Sequence, residues 1–86
     1  MFEFDPSKSK SNAAKHAIDF AAAQVLWDDD YLLVVPVMNL DEPRFIAIGR
    51  IDVKHWAAIF TVRLGNIRII SVRRARKEEI ERYESP

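Results

Sequence analysis

Arg68-Ile69-Ile70-Ser71-Val72-Arg73-Arg74-Ala75 begins as an apolar, β-branched run and ends in paired arginines. The first half is strand chemistry, because branched side chains fit a pleated surface. The second half fixes positive charge at the strand's end. Guanidinium groups stay protonated and present a planar fork that suits phosphate oxygens. The plainer reading is two solvated charges before a helix.

Working outward, Leu64-Gly65-Asn66 is a tight turn, with glycine and asparagine both tolerant of positive φ. His55-Trp56-Ala57-Ala58-Ile59-Phe60-Thr61-Val62-Arg63 and Arg44-Phe45-Ile46-Ala47-Ile48-Gly49-Arg50 are strands, joined by a turn from Ile51 to Lys54. Asn39-Leu40-Asp41-Glu42-Pro43 reads as a loop. Tyr31-Leu32-Leu33-Val34-Val35 is β-rich, and Pro36 ends it or marks an edge strand. Short connections make these four strands an antiparallel meander. At the other end, Phe2-Glu3-Phe4 alternates as a short first strand. Asp5-Pro6 starts a helix from Pro6 to about His16, with Asp as N-cap and Pro in the first turn. Ser9 and Ser11 are poor helix-interior residues, so this helix leans on tertiary contacts. Asp19 caps a second helix from Phe20 to about Trp27, and Asp28-Asp29-Asp30 reads as loop. Arg76 to Ser85 is a last helix that only Ile80 and Tyr83 can dock. The expected class is α+β: a short N-terminal strand, two helices, a four-stranded antiparallel meander and a C-terminal helix, as one domain over residues 1–86.

Parity assigns faces within each strand. Trp56, Ala58, Phe60, Val62 and Leu64 fall on one side and read as core. In the last strand Ile67 and Ile69 point one way, and Arg68, Ile70, Val72 and Arg74 the other. The expectation is one sheet face packed by the first two helices, and another partly open, with arginines around a shallow apolar floor.

The bulk numbers narrow the classes. The 86 residues are 49% hydrophobic and 30% charged, which fits a folded globule rather than a disordered chain. A chain this short buries only about 60% of its unfolded surface, so a partner could add to its stability. There are no cysteines, hence no disulfide framework and no thiolate metal site. No apolar run approaches the roughly 20 residues that cross a membrane, and no signal peptide is evident. A cytoplasmic setting fits. The net charge is zero, yet the interval from Val53 to Lys77 holds no acid and seven Lys or Arg. A basic surface of that kind favours nucleic acid or an acidic partner.

His16, His55 and the scattered acids make no metal-ligand spacing, and the Asp28–Asp30 run is the usual solvated loop. No nucleophile motif or glycine-rich phosphate loop is present. Lys, Arg, His and Tyr suffice for one reaction. RNA carries its own nucleophile, the 2′-hydroxyl, beside the scissile phosphate. A protein then needs to orient the linkage, move protons and stabilise charge. Lys15-His16 is the proton-transfer candidate, with the plainer reading of a helix surface. Arg50 is a phosphate ligand or a cross-strand partner for an acid. Tyr83 is an acid or a packing anchor. Trp27 and Trp56 read as core.

Phe4-Asp5-Pro6 with Lys8, Asn12 and Lys15-His16, then Ile48-Gly49-Arg50, then Gly65-x-Ile67-Arg68-Ile69-Ile70-Ser71-x-Arg73-Arg74-Ala75 with Glu79 and Tyr83-Glu84, together resemble the BrnT family of bacterial type II toxins. That family lies within the RelE-like ribonuclease superfamily. The resemblance implies a RelE-like fold and metal-independent RNA cleavage that inhibits translation, with no cofactor. It also implies neutralisation by a ribbon-helix-helix antitoxin (BrnA-like), and operator DNA binding only through that complex. By motif position it places the site at Lys15, His16, Arg50, Arg68, Arg73, Arg74 and Tyr83. Arg73→Ala and Lys15→Ala would then each abolish cleavage. Ala17 stands where the family usually has glycine, which predicts a different exit from the first helix. Two other readings compete: a non-catalytic module whose basic face binds nucleic acid or protein, and a toxin directed at a topoisomerase.

Overall fold

The computed structural model describes residues 1–38 and 41–85. Residues 39 and 40 of the expected loop therefore lie outside the described residues. The elements run β1 (Phe2–Glu3), α1 (Pro6–His16), α2 (Phe20–Ala23) continuing as a 3-10 turn (Gln24–Asp28), β2 (Leu33–Val37), β3 (Arg44–Ile51), β4 (Lys54–Arg63), β5 (Asn66–Arg74) and α3 (Lys77–Glu84). The second helix is thus shorter than its apolar stripe suggests, tightening into 3-10 geometry after one turn. The class is α+β, with a five-stranded mixed sheet in the order β1-β5-β4-β3-β2. Strands β2 to β5 pair antiparallel, and β1 adds in parallel to β5 through Phe2↔Ile67 and Glu3↔Arg68.

Local chemistry sets the helix ends. The Asp5 carboxylate accepts from the Ser7 N–H at 2.8 Å, and Pro6 fills the first helical position. Asp19 caps α2 in the same way, accepting from Ala22 N–H at 2.7 Å. Helix α1 ends at Ala17, which sits at φ 63° and donates its N–H to Ala13 O at 3.0 Å. This is the left-handed exit that a glycine would make, so the exit is not altered by the alanine; the alanine bears its strain. Ala17→Gly should stabilise the fold by about 1 kcal/mol, read as a melting point higher by about 4–8 °C.

The polar residues of α1 are what tie it down. Ser9 Oγ accepts from Phe20 N–H at 2.9 Å. Buried Asn12 donates to both Ile18 O and Val72 O at 2.9 Å and accepts from Val72 N–H at 3.1 Å. Beyond the reach of β1, the outer edge of β5 is therefore closed by a side chain that copies a strand's donor and acceptor.

One sheet face packs against α1, α2 and the 3-10 turn. Phe20, Ala23 and Leu26 meet Ala47, Trp56, Ala58, Phe60, Ile69 and Val72. Trp27 packs edge-on to Phe2 and Phe60 at centroid distances of 5.0 and 5.4 Å, as core rather than a stacking platform. Val62 and Leu64 were expected here, but they are 54% and 99% exposed, because the helices cover only part of the sheet.

The parity reading of β5 also needs correction. Ile59 pairs with Ser71 and Phe60 with Ile69, so Ile70 is an extra residue. This bulge resets the alternation. Ile69 and Val72 both enter the core, Arg74 follows them, and Arg73 turns to the opposite face with Ser71 and Arg68. That opposite face carries Ile46, Ile48 and Arg50 of β3 and His55, Ala57 and Ile59 of β4 in register. It is not open where these lie, since Ile48 and Ala57 are buried and α3 is tied across it.

Candidate functional site

The strand register brings Arg50 of β3 opposite His55 of β4 at the end of the sheet where α3 crosses. Tyr83 on α3 meets the His55 ring edge-on at 5.4 Å between centroids. Glu84 on the same helix holds His55 Nε2 at 2.7 Å through Oε2. Arg50, Tyr31 and Tyr83 line a recess of about 430 Å³ with Val25, Ile51 and the acids Asp28, Asp29, Asp30 and Asp52.

Asp29 organises this recess. Its carboxylate accepts from Tyr83 OH at 2.5 Å, from Arg50 N–H at 2.9 Å and from Tyr31 N–H at 2.9 Å. The Arg50 amide lies past the last β2 partner, Leu33↔Ile48, so Asp29 takes the place of a strand there. Gly49 makes room for it. A Cβ at that position would stand 3.1 Å from Asp29 Oδ2 and 3.0 Å from Leu32 Cδ1. Burial works to raise the Asp29 pKa, but its three hydrogen bonds and the nearby Arg50 charge outweigh that and hold it below the usual value. Tyr83 is pushed up to about 12, by burial first and then by its bond to the ionised Asp29. It is a neutral phenol near pH 7 whose proton is already committed.

Arg73 reaches the same face from β5. Its two terminal nitrogens bond both Glu79 oxygens, at 2.7 and 2.8 Å, in a fork-to-fork pair. Glu79 Oε1 also accepts from Arg76 N–H at 2.7 Å, which closes the start of α3. The Arg73 bond, opposed by burial, lowers the Glu79 pKa, and the same bond raises that of Arg73.

The seven residues singled out in the sequence do not form one cluster. Arg50 and Tyr83 share the recess, with Arg73 further along the same sheet face. Lys15 and His16 instead line a separate depression at the β5 edge, with Lys8, Ser11, Asn12, Ile70 and Ser71. Arg68 lies at the far end of β5, its Nη1 3.7 Å from Glu3 Oε1. Arg74 faces the helices, its guanidinium carbon 5.5 Å from the Trp56 ring centroid. His55 and Asp29, which sequence reading left outside the site, lie at its centre. The cross-strand position of His55 beside Arg50 was available from the meander; the role of Asp29 was not.

This is a small α+β domain whose distinctive surface joins an exposed arginine, an imidazole and a carboxylate-held tyrosine, side chains suited to orienting a phosphodiester and moving protons. The family model for the ribonuclease toxin BrnT of type II toxin-antitoxin systems matches residues 4–79, and the chain belongs to that family. No curated protein matches the chain. Among the described residues no helix is long and apolar enough to cross a membrane.

Proposed function

We propose that the chain cleaves RNA by attack of the 2′-hydroxyl on the neighbouring phosphate, at the recess between β3, β4 and α3. The observation that carries this is the juxtaposition of Arg50, His55 and the Asp29–Tyr83 pair in a member of a ribonuclease toxin family. Among the described residues the Arg50 guanidinium donates no hydrogen bond, so its fork is available to the phosphoryl oxygens. Glu84 Oε2 accepts the hydrogen bond that His55 Nε2–H donates, which leaves Nδ1 as the lone-pair nitrogen of the neutral ring. Nδ1 accepts the 2′-hydroxyl proton as the 2′-oxygen–phosphorus bond forms. The phosphorus–5′-oxygen bond breaks, and the 5′-oxygen is protonated by water at the open mouth. The products are a 2′,3′-cyclic phosphate and a 5′-hydroxyl. Tyr83 positions the recess; giving up its proton would set a phenolate against the Asp29 carboxylate.

On this reading the fold is RelE-like, the reaction needs no metal, and loss of RNA halts translation. The antitoxin is a ribbon-helix-helix protein that carries the complex to operator DNA. The family match and the residue set support these statements. The test is digestion of a defined RNA by the purified protein with EDTA present, followed by end-group analysis. Cyclic phosphate ends, lost when the scissile nucleotide is 2′-deoxy, are expected; intact RNA, or cleavage at the deoxy position, refutes the mechanism. The Lys15–His16 depression shares no lining residue with the Arg50 recess, and this favours a second reading, a binding module. It predicts steeply salt-dependent RNA binding without cleavage.

A further inference from the structure

Helix α3 lies on the face that carries Arg73 and His55, and its carboxylates occupy both. Glu79 takes one N–H from each terminal nitrogen of Arg73, Nη1 also donates to Arg74 O at 3.3 Å, and Glu84 holds His55 Nε2. A phosphate that binds this end of the guanidinium must displace Glu79. The helix itself is lightly held. None of its residues is buried, and Ile80 and Tyr83 are its only half-buried apolar side chains. Tyr83 adds a hydrogen bond to Asp29 and an edge-on contact with the His55 ring. The two groups that Glu79 and Glu84 hold are near neighbours on the sheet: Arg73 stands opposite Ala57, two residues along β4 from His55.

From this we infer that α3 is an internal lid, with Glu79 and Glu84 standing where consecutive RNA phosphates bind Arg73 and His55, so that substrate enters by displacing the helix. This rests on the proposed reading of the recess and adds its regulation. The free protein is then mostly closed, and RNA affinity is reduced by the fraction of molecules that are open. Substrate displaces one carboxylate from the Arg73 guanidinium and one from the His55 Nε2–H, and a phosphate oxygen accepting from Nε2–H keeps Nδ1 as the base, so the exchange is a competition of anions. The floor beneath, Ile48 and Ala57, would be uncovered as α3 moves.

The test uses the full chain and a labelled 2′-O-methyl RNA oligonucleotide that cannot be cleaved, with binding read by anisotropy. Glu79→Gln with Glu84→Gln is expected to bind about tenfold more tightly than the parent. Glu78→Gln with Glu81→Gln makes the same change of net charge on exposed residues of the same helix and should shift affinity by less than about threefold. Arg73→Ala breaks the same ion pair as Glu79→Gln but should weaken binding. A merely structural salt bridge predicts the same direction for both. Hydrogen exchange of the amides in residues 77–84 of the parent should speed up when the oligonucleotide binds. Equal affinities for the two glutamine pairs, like signs for Glu79→Gln and Arg73→Ala, or α3 amides unchanged with RNA bound would each overturn the lid. Cleavage of unmodified RNA is measured in parallel. Cleavage with α3 unmoved sinks the lid and leaves the ribonuclease. Release of α3 with no cleavage by any variant sinks the ribonuclease and leaves the lid.

Discussion

Asn12→Ala should cost about 3 kcal/mol or more of stability, a fall in melting temperature of more than about 10 °C. The side chain serves three backbone groups at once: Val72 N–H, Val72 C=O and Ile18 C=O. Each loses its partner in a place that is buried on one side by the core and on the other by α1. An unsatisfied buried group costs about 1–3 kcal/mol, and water entering from the β5 edge offsets part of the sum. The whole domain is held by only about 5–15 kcal/mol, so one side chain accounts for a large share. Urea titration checks this: the midpoint should drop while the slope stays the same. A loss below about 1 kcal/mol would mean that water replaces the amide completely, and that α1 does not depend on this bond.

The second large effect is on turnover. Arg50→Ala should lower RNA cleavage by about 10²–10³-fold, the range for removing one group that stabilises transition-state charge. His55→Ala should lower it by about 10²–10⁴-fold, the range for a general base. Arg50 is exposed and makes its structural contact through its backbone amide, so its variant should melt like the parent. Lys15→Ala should behave differently. Its depression shares no lining residue with the Arg50 recess, so RNA binding should weaken and its salt slope fall by about one, without a comparable loss of turnover. Parent-like rates for both Arg50→Ala and His55→Ala would place the chemistry elsewhere.

The parts of this molecule written in local chemistry could be read directly. Asp5-Pro6 and Asp19 announce helix starts, and Leu64-Gly65-Asn66 announces a turn, because capping and positive φ act within a few residues, although it is Leu64 and not Asn66 that joins Gly65 at positive φ while Asn66 already begins β5. Pro36 within β2 sits on an edge strand, where its missing N–H costs nothing. What could not be read depends on a single residue of register or on distant partners. Nothing in Ile69-Ile70-Ser71 marks the bulge, yet it decides that Arg73 and not Arg74 shares a face with Arg50. Asp29 looks like one of three solvated acids until β3 supplies Gly49 and the Arg50 amide beside it. Glu79 reads as an ordinary helix acid until the Arg73 fork is placed over it.

The extra residue at Ile70 also shapes how this strand can change. Removing it would leave Ile69 opposite Phe60 and Ser71 opposite Ile59, so the alternation beyond would stay in phase. Drawing Ile70 into the ladder opposite Ile59, with no residue lost, is the change the fold cannot take. Val72 would then turn outward and the Arg73 guanidinium would be driven among Phe20, Ala58 and Trp56, which no apolar interior tolerates. This strand can therefore shorten by one residue here but cannot flatten at its present length, because the looped-out residue keeps hydrophobic interior and cationic surface in separate phases.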